Sequence, residues 1–277
     1  MKDILIGPDD IRQWHPAFRG KYGDLLIKYG TKISGLQNVN RIYDNSKHLT
    51  GPAFCKDVLD KLEIKRTLRN VNVLENFKEK PFITVSNHSY GHVDGIAIIE
   101  AVGSRVNNFK MMVNFILGII DTMADNFITV NPYKKTDEIK TVSLNGIKKS
   151  IDHIRHGRPL GFFPAGAVED FVRKGLKITI EDREWQPSVL KLIQKARVPV
   201  IPIHISGGNS PRYYALGIFG WIIRTLGLCH ELYNKKGKEM ILTFGEPISP
   251  EKISEFKNVK ELGDFLRTQT YALAQSK

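Results

Sequence analysis

The chain has 277 residues, of which 42% are hydrophobic and 25% charged, and its 41 lysine and arginine residues against 29 acidic residues give a formal net charge of +12. This length allows one substantial α/β core, and the positive charge favours an anionic partner such as a lipid head group or a phosphorylated carrier. The basic residues are scattered, without the aromatic interleaving or zinc-ligand spacing of nucleic-acid-binding modules, so we expect no nucleic acid partner. Cys55 and Cys229 are too few for a disulfide framework and indicate a reducing compartment.

The apolar pattern divides the chain into two parts. Up to about residue 80 its period is helical, with amphipathic stretches at residues 22–33, 39–47 and 52–62. Beyond that point short β-rich runs alternate with helical intervals, at residues 82–86, 109–113, 127–130, 159–163, 198–205 and 239–244, and a final amphipathic helix covers residues 259–275. The pattern predicts an α/β fold with a mostly parallel sheet flanked by helices. We predict a helical N-terminal extension, residues 1–80, packed on an α/β domain, residues 81–277, that forms a single structural unit.

The most informative segment is residues 82–95, where an apolar strand leads into a polar loop. His88 and Asp94 are six positions apart. That spacing places them on different faces of a continuous helix, so a loop must join them. Gly91 and Gly95 give this loop its freedom. Because an imidazole at a strand end becomes a general base when a carboxylate orients it, we predict His88 as the base and Asp94 as its orienting partner.

Alternatives stay open for these residues. Asp94 could act solely as the N-cap of a helix that starts at Gly95, and His88 could be a buried histidine hydrogen-bonded to the backbone. His92 is a second candidate base, although its closeness to Asp94 in sequence is a cramped geometry. His88, His92 and Asp94 could also bind a metal ion for hydrolysis, but Gly91 disfavours the helix that would align the two histidines.

A second loop follows the β-rich run at residues 159–163. Phe163, Pro164, Ala165 and Gly166 form either a plain turn or a cradle whose backbone N–H groups hold a phosphate or carboxylate. The glycine-rich residues 206–210 lack the Walker lysine and the Rossmann spacing, so we expect no nucleotide site there. The serines lie outside any Gly-x-Ser-x-Gly elbow, which gives a covalent hydrolase no positive signal.

Taken in order, these blocks resemble the glycerolipid acyltransferase superfamily, which includes lysophospholipid and glycerol-phosphate acyltransferases. Most of that family has Asn-His, four residues and then Asp, whereas five residues separate His88 from Asp94 here. The longer, glycine-containing form resembles the branch called hemolysin-like acyltransferases. Residues 127–130, 163–166 and 200–203 match further family blocks, and the resemblance covers about residues 40–248.

Three departures from the family pattern bear on the acceptor. Ala165 stands where the common block has glutamate, and Asn131 stands where many glycerol-phosphate enzymes have arginine. Both changes weaken a phosphate site. The hemolysin-like branch is expected to have a glutamate directly after the turn, whereas this chain has Ala167 there and Glu169 two places later.

The resemblance implies transfer of a fatty acyl group from a thioester of acyl carrier protein (ACP) or coenzyme A (CoA) to the hydroxyl of a lyso-lipid. The branch implies an N-acyl amino acid lipid as acceptor, with a lysophospholipid as the alternative. We predict that Asn87, Glu169 and the turn of Phe163, Pro164, Ala165 and Gly166 bind the acceptor. We expect no metal and no cofactor besides the acyl-ACP or acyl-CoA co-substrate. A non-catalytic lipid-binding protein and the metal-dependent hydrolase remain alternatives.

The longest apolar region covers residues 213–229 and is interrupted by Arg224 and three glycines. It is short of the roughly 20 apolar residues that a spanning helix needs. It could form core or lie in a membrane interface, where anionic lipid attracts basic side chains. The first residues carry no apolar stretch of signal-peptide length. We therefore expect a peripheral protein on the cytoplasmic side of the membrane.

Overall fold

The structure is a computed structural model that describes residues 4–14, 16–130, 137–175 and 177–275. Within those ranges the chain forms eleven α-helices and nine β-strands. The helices are α1 (Pro8–Trp14), α2 (Gly20–Ser34), α3 (Leu36–Ser46), α4 (Gly51–Lys61), α5 (His92–Gly103), α6 (Asp137–Arg155), α7 (Pro187–Ala196), α8 (Pro211–Leu216), α9 (Trp221–Asn234), α10 (Pro250–Ser254) and α11 (Val259–Ala272). The strands are β1 (Lys65–Arg69), β2 (Ile83–Ser86), β3 (Lys110–Asn114), β4 (Phe127–Val130), β5 (Leu160–Phe162), β6 (Asp170–Lys174), β7 (Lys177–Glu181), β8 (Val200–Ile205) and β9 (Glu239–Phe244).

Seven of these strands form one sheet in the order β1-β9-β8-β2-β5-β3-β4. From β8 to β4 all neighbours are parallel. Strand β9 runs antiparallel to β8, and β1 runs parallel to β9. The remaining pair, β6 and β7, forms a separate antiparallel hairpin. The prediction of an α/β fold with a mostly parallel sheet flanked by helices is confirmed.

The central strands are buried on both faces, which explains their continuous apolar sequences. Every residue of β2 and β8 is buried. Ile203 and Ile205 of β8 pack into a cluster with residues of α4 and α5, whereas Ile83 and Val85 of β2 pack with residues of α7 and α11. Because successive strand residues point to opposite faces, a shift of one residue would move each set to the opposite face and out of its cluster. The register that positions the strand ends is therefore fixed by burial.

Gly161 lets three central strands approach each other closely. A Cβ atom at this position would lie 2.1 Å from Met111 Sδ and 2.8 Å from Thr84 Oγ1. Any larger residue would therefore force β5 away from β2 and β3. The strand can sit between its neighbours only because it carries glycine at this point.

The structure differs from the sequence prediction at residues 65–69, which we assigned to the helical extension. These residues form β1 and pair with residues 239–243 of β9. The strand lies at the edge of the sheet, and its residues Lys65, Thr67 and Arg69 are polar, so it lacks the apolar run that marks the buried strands. The sheet thus includes a strand from before residue 80, and the division into two domains stays a prediction.

Two further features escape the sequence pattern. The β6–β7 hairpin was not predicted, because its apolar residues are exposed and signal no core. The apolar region at residues 213–229 does not form one helix. Helix α8 ends at Leu216, and Gly220, with a φ of +108°, separates it from α9.

Candidate active site

Three loops meet at the carboxyl ends of β2, β5 and β8. Because β2 lies between β5 and β8, the loop that starts at Asn87 has a neighbour on each side. On one side the ring of His88 stacks on Phe163, with centroids 4.0 Å apart and planes at 18°. On the other side Asn209 Nδ2 donates to the Ser89 carbonyl at 3.1 Å. The His88 loop and the Phe163 turn thus lie together, at the sheet edge where α/β proteins form crevices.

His88 and Asp94 are in direct contact. His88 Nδ1 lies 2.8 Å from Asp94 Oδ2. The Asp94 side chain is fully buried, whereas 17% of the His88 side chain is exposed. Since a carboxylate only accepts hydrogen bonds, Nδ1 carries the proton and Nε2 keeps its lone pair. The pair can therefore accept a proton at Nε2 and stabilise the imidazolium that forms.

Asp94 holds the loop and the histidine with the same oxygen. It is the third residue of α5 and does not precede the helix, which corrects the expected N-cap position. Its Oδ2 atom accepts backbone N–H groups from Tyr90 at 2.8 Å and Gly91 at 2.9 Å. The φ of +97° at Gly91 allows this tight turn. Capping and orientation of His88, which we considered as alternatives, are thus performed together.

The turn after β5 is fixed by its own carbonyl groups. The Ala165 carbonyl accepts hydrogen bonds from Arg183 Nε at 3.0 Å and Gln186 Nε2 at 3.3 Å. Pro164 and Ala165 are buried, whereas Gly166 and Arg183 are exposed. A Cβ atom at Gly166 would meet Gln186 Nε2 at 1.8 Å, and its φ of +65° also favours glycine. The open side of the turn therefore carries the exposed Arg183 next to the exposed Gly166.

Asn87 joins the ends of β2 and β8. Its Oδ1 atom accepts the Ile205 N–H at 2.8 Å, and its Nδ2 atom lies within 3.0 Å of the Ile205 carbonyl, Glu169 Oε1 and Ser89 Oγ. The residue is 1% exposed. These contacts all involve protein groups, and the acceptor-binding role that we predicted for Asn87 stays a prediction.

The chain matches a family model described as Acyltransferase over residues 39–277. It belongs to this acyltransferase family. Two relatives are described as lyso-glycine lipid O-acyltransferases. The one from Bacteroides thetaiotaomicron is 26% identical over 281 residues, covering 98% of each chain. The one from Phocaeicola vulgatus is 28% identical over 258 residues, covering 90% of this chain and 87% of the relative.

Among solved structures, the chain is similar to the 1-acyl-sn-glycerophosphate (LPA) acyltransferase PlsC from Thermotoga maritima. The TM-score is 0.46 at 17% identity, over 91% of this chain and 94% of that chain. The family model confirms the superfamily that the order of the motifs predicted. Assignment to the hemolysin-like branch stays a prediction.

Two further buried carboxyl groups contact the backbone of the His88 loop in this member of the acyltransferase family. Glu169 is 4% exposed, and its backbone N–H donates to the His88 carbonyl at 2.8 Å. Burial raises the pKa of Glu169 to about 7, against hydrogen bonds from Asn87 and Tyr271 that lower it. Burial also raises the pKa of Asp182 to about 6. The Oδ1 atom of Asp182 accepts the His88 N–H at 3.2 Å.

Sequence reasoning missed Asp182, Arg183 and Tyr271. Asp182 and Arg183 follow the unpredicted strand β7, and Tyr271 lies in the C-terminal helix, far from any recognised motif. In the sequence they are ordinary polar residues. The fold brings Asp182 to the His88 backbone, Arg183 to the Ala165 carbonyl and Tyr271 to Glu169.

His92, the second candidate base, begins α5 and is partly buried. Burial lowers its pKa to about 4, with smaller contributions from His88 and Lys235. Among the residues that the structure describes, no three His, Cys, Asp or Glu side chains are arranged to hold a metal ion. The Nδ1 atom of His88 forms its hydrogen bond with Asp94.

Within the described ranges, no helix is both long enough and apolar enough to cross a membrane.

We predict that Glu169→Gln changes how stability depends on pH. A carboxyl whose pKa is raised on folding binds its proton more tightly in the native state, so it lowers the free energy of unfolding as pH rises from about 4.5 to about 7. Between pH 4.5 and pH 8 the wild type should lose about 3 kcal/mol more than the variant, measured by denaturant unfolding. Glutamine keeps an oxygen that can accept from Asn87 and Tyr271.

Glu184→Gln is the matched control, since this glutamate is exposed in the same segment. Its pH dependence should follow that of the wild type. Parallel curves for the wild type and Glu169→Gln would contradict the assignment of a raised pKa to Glu169.

Proposed function

We propose that this protein transfers a fatty acyl group from the thioester of ACP or CoA to the hydroxyl of a lyso-lipid. The observation that carries the proposal is the 2.8 Å contact between His88 Nδ1 and Asp94 Oδ2, at a sheet edge, in a member of an acyltransferase family. The two relatives are named for lyso-glycine lipid. We therefore propose an N-acyl amino acid lipid with a free hydroxyl as acceptor, with a lysophospholipid as the alternative.

The mechanism follows from the tautomer of His88, in which Nδ1 carries the proton and Nε2 has a free lone pair. Its Nε2 atom removes the proton from the acceptor hydroxyl as the hydroxyl oxygen attacks the carbonyl carbon of the thioester. Asp94 stabilises the imidazolium during this step. When the tetrahedral intermediate collapses, the carbon–sulfur bond breaks and the thiolate takes the proton from His88. The ester and the free thiol are the products, and no acyl-enzyme forms.

The acceptor's anionic group needs a cation near His88, and we propose Arg183. Ala165 removes the carboxylate that the common family block would place in the turn. Asn131, the other departure, lies outside the described residues. Arg183 is exposed, and its Nε atom is held by the Ala165 carbonyl at 3.0 Å. The planar guanidinium matches a carboxylate with two parallel hydrogen bonds, which suits an amino acid lipid.

The β6–β7 hairpin supports contact with a membrane surface. Phe171 pairs with Ile180 and Arg173 with Ile178, so these four side chains share one face, which we term the hairpin face. Phe171, Ile178 and Ile180 are 55%, 65% and 46% exposed. Strand β6 begins directly after Glu169, which is bonded to the backbone of His88. An exposed apolar surface thus begins beside the proposed catalytic loop.

The surroundings of the hairpin face have the charge that an anionic leaflet attracts. Arg173 on the face and Lys177 at its edge are exposed, and the chain carries a net charge of +12. Arg224 of α9 forms an ion pair with Asp170 at the base of the hairpin, and Ile218 nearby in the sequence is 82% exposed. We propose that the hairpin face docks on the cytoplasmic leaflet, so that lyso-lipid enters from the bilayer.

We predict that His88→Ala abolishes acyl transfer. Labelled long-chain acyl-ACP and acyl-CoA would be incubated with N-acyl amino acid lipids and lysophosphatidate. The wild type should form product, and the variant should lose at least about a hundredfold in rate because general-base catalysis contributes that much. His156→Ala, an exposed histidine after α6, is the control and should stay active. An active His88→Ala variant would refute the dyad and make His92 the next candidate, and an inactive wild type would favour the binding-protein alternative.

Replacing Arg183 should weaken acceptor binding. We expect Arg183→Ala to raise the KM for the anionic acceptor about tenfold, with the donor KM unchanged, because a charged hydrogen bond is lost. Arg158→Ala removes the same charge at the opposite end of β5 and should leave the acceptor KM unchanged. Equal effects of the two variants would show a general charge effect and contradict a specific role for Arg183.

Disrupting the hairpin face should weaken membrane binding. In flotation assays with vesicles containing phosphatidylglycerol, we expect Phe171→Ser combined with Ile178→Ser to reduce the bound fraction about tenfold, because buried apolar area is lost. Leu144→Ser, which replaces a 56% exposed leucine of α6, is the control. Absence of wild-type binding, or an equal loss with Leu144→Ser, would overturn the proposed docking surface.

A further inference from the structure

One hydroxyl group of the C-terminal helix connects two segments that flank the His88 loop. The Tyr271 hydroxyl donates to Glu169 Oε1 at 2.9 Å and accepts the Asp182 backbone N–H at 2.8 Å. Glu169 precedes β6, and Asp182 follows β7, so the two residues stand at the two ends of the hairpin. Tyr271 therefore ties both ends of the hairpin to α11.

The same two residues hold the backbone of His88. The Glu169 N–H donates to the His88 carbonyl at 2.8 Å, and the His88 N–H donates to Asp182 Oδ1 at 3.2 Å. Both backbone polar groups of the proposed base are thus bonded to residues that Tyr271 connects. Helix α11 can therefore affect the position of the imidazole without any of its side chains contacting the ring.

Asp182 has little freedom to compensate if the tyrosine hydroxyl is lost. Its Oδ2 atom accepts the Trp185 Nε1–H at 3.0 Å, and its carbonyl accepts a hydrogen bond from Arg267 Nη2 at 2.7 Å. It is 0% exposed. Without Tyr271, the buried Asp182 N–H would have to find another acceptor or shift toward solvent, and an unsatisfied buried donor is costly. A shift of Asp182 would be passed to the His88 backbone through its carboxylate.

We propose that Tyr271 is a positioning residue for His88, acting through Glu169 and Asp182. The proposal rests on the function proposed above. The Tyr271 hydroxyl fixes the position of the His88 backbone at the sheet edge. The hydrogen bond to Asp94 fixes the orientation of the His88 imidazole ring. General-base catalysis depends on the placement of the base to within a fraction of an ångström, so both constraints bear on the rate.

The test is Tyr271→Phe, which removes the hydroxyl and keeps the ring that contacts His204 and Arg267. We expect kcat to fall by about tenfold or more, with the KM values of donor and acceptor unchanged, because both hydrogen bonds of the hydroxyl go to protein groups. In hydrogen-exchange mass spectrometry, the peptide containing His88 should exchange faster than in the wild type. This second measurement needs no activity.

Thr270→Val is the matched control on the same helix. Its hydroxyl is fully buried and donates to the Leu266 carbonyl at 2.9 Å, within α11 itself. The variant should keep the wild-type kcat and the wild-type exchange of the His88 peptide. Thermal unfolding of both variants would show whether they differ in stability. Wild-type kcat in Tyr271→Phe, an equal loss in both variants, or a raised KM with intact kcat would each overturn the proposal. If the wild type itself transfers no acyl group, the proposed function fails, and the exchange measurement alone decides whether Tyr271 holds the loop.

Discussion

The hydrogen bond between the His88 ring and Asp94 depends on a loop whose backbone N–H groups also bind the Asp94 carboxylate. A buried carboxylate is unfavourable unless it is well hydrogen-bonded. The Oδ2 atom of Asp94 meets this requirement with three donors, two from the loop backbone and one from the imidazole, whereas Oδ1 is buried and has no hydrogen-bond partner among the described residues. The first turn of α5 and the orientation of His88 are therefore one structural unit. Both use the same carboxylate oxygen, and the φ of +97° at Gly91 lets the loop reach it.

That unit is held by polar groups buried at the end of an apolar sheet. Asn87 follows β2, Glu169 precedes β6 and Asp182 follows β7, so all three lie where backbone groups lose their ladder partners. They supply hydrogen bonds that the sheet itself cannot provide. Buried networks of this kind specify a single arrangement, because a partly satisfied network costs more than an apolar core. The raised pKa of Glu169 is the cost of placing a carboxyl group there.

The hairpin links this polar interior to the surface. Its two ends, at Glu169 and Asp182, carry the contacts to the His88 backbone, while its apolar face is open to the surroundings. In the proposed function, the β6–β7 hairpin would both contact lipid and hold the backbone of His88, the proposed base. Arg224 joins α9 to the same hairpin through Asp170 and the Glu169 carbonyl. The segment at residues 213–229, which the sequence marked only as apolar, is therefore anchored beside the site.

The sequence by itself determined the central strands, because β2, β5 and β8 are buried on both faces and their apolar runs can mean little else. It also predicted that His88 and Asp94 come together, as the 2.8 Å contact between them shows, whereas their catalytic role stays a prediction. The order of the motifs gave the acyltransferase family, which the family model confirms. Local patterns were enough for the strands and for the His88 loop because each depends on residues close together in the chain, whereas the family needed the order of several motifs.

Only the tertiary structure decided what surrounds the pair. β1 and the β6–β7 hairpin escaped detection, because polar edge strands and exposed hairpins bury too little to impose an apolar pattern. Asp182 and Tyr271 could not be assigned, since their partners His88 and Glu169 lie 94 and 102 positions away in the sequence. Hydrogen bonds over such separations depend on the sheet order and on the packing of α11. These are properties of the whole chain, and no local spacing encodes them.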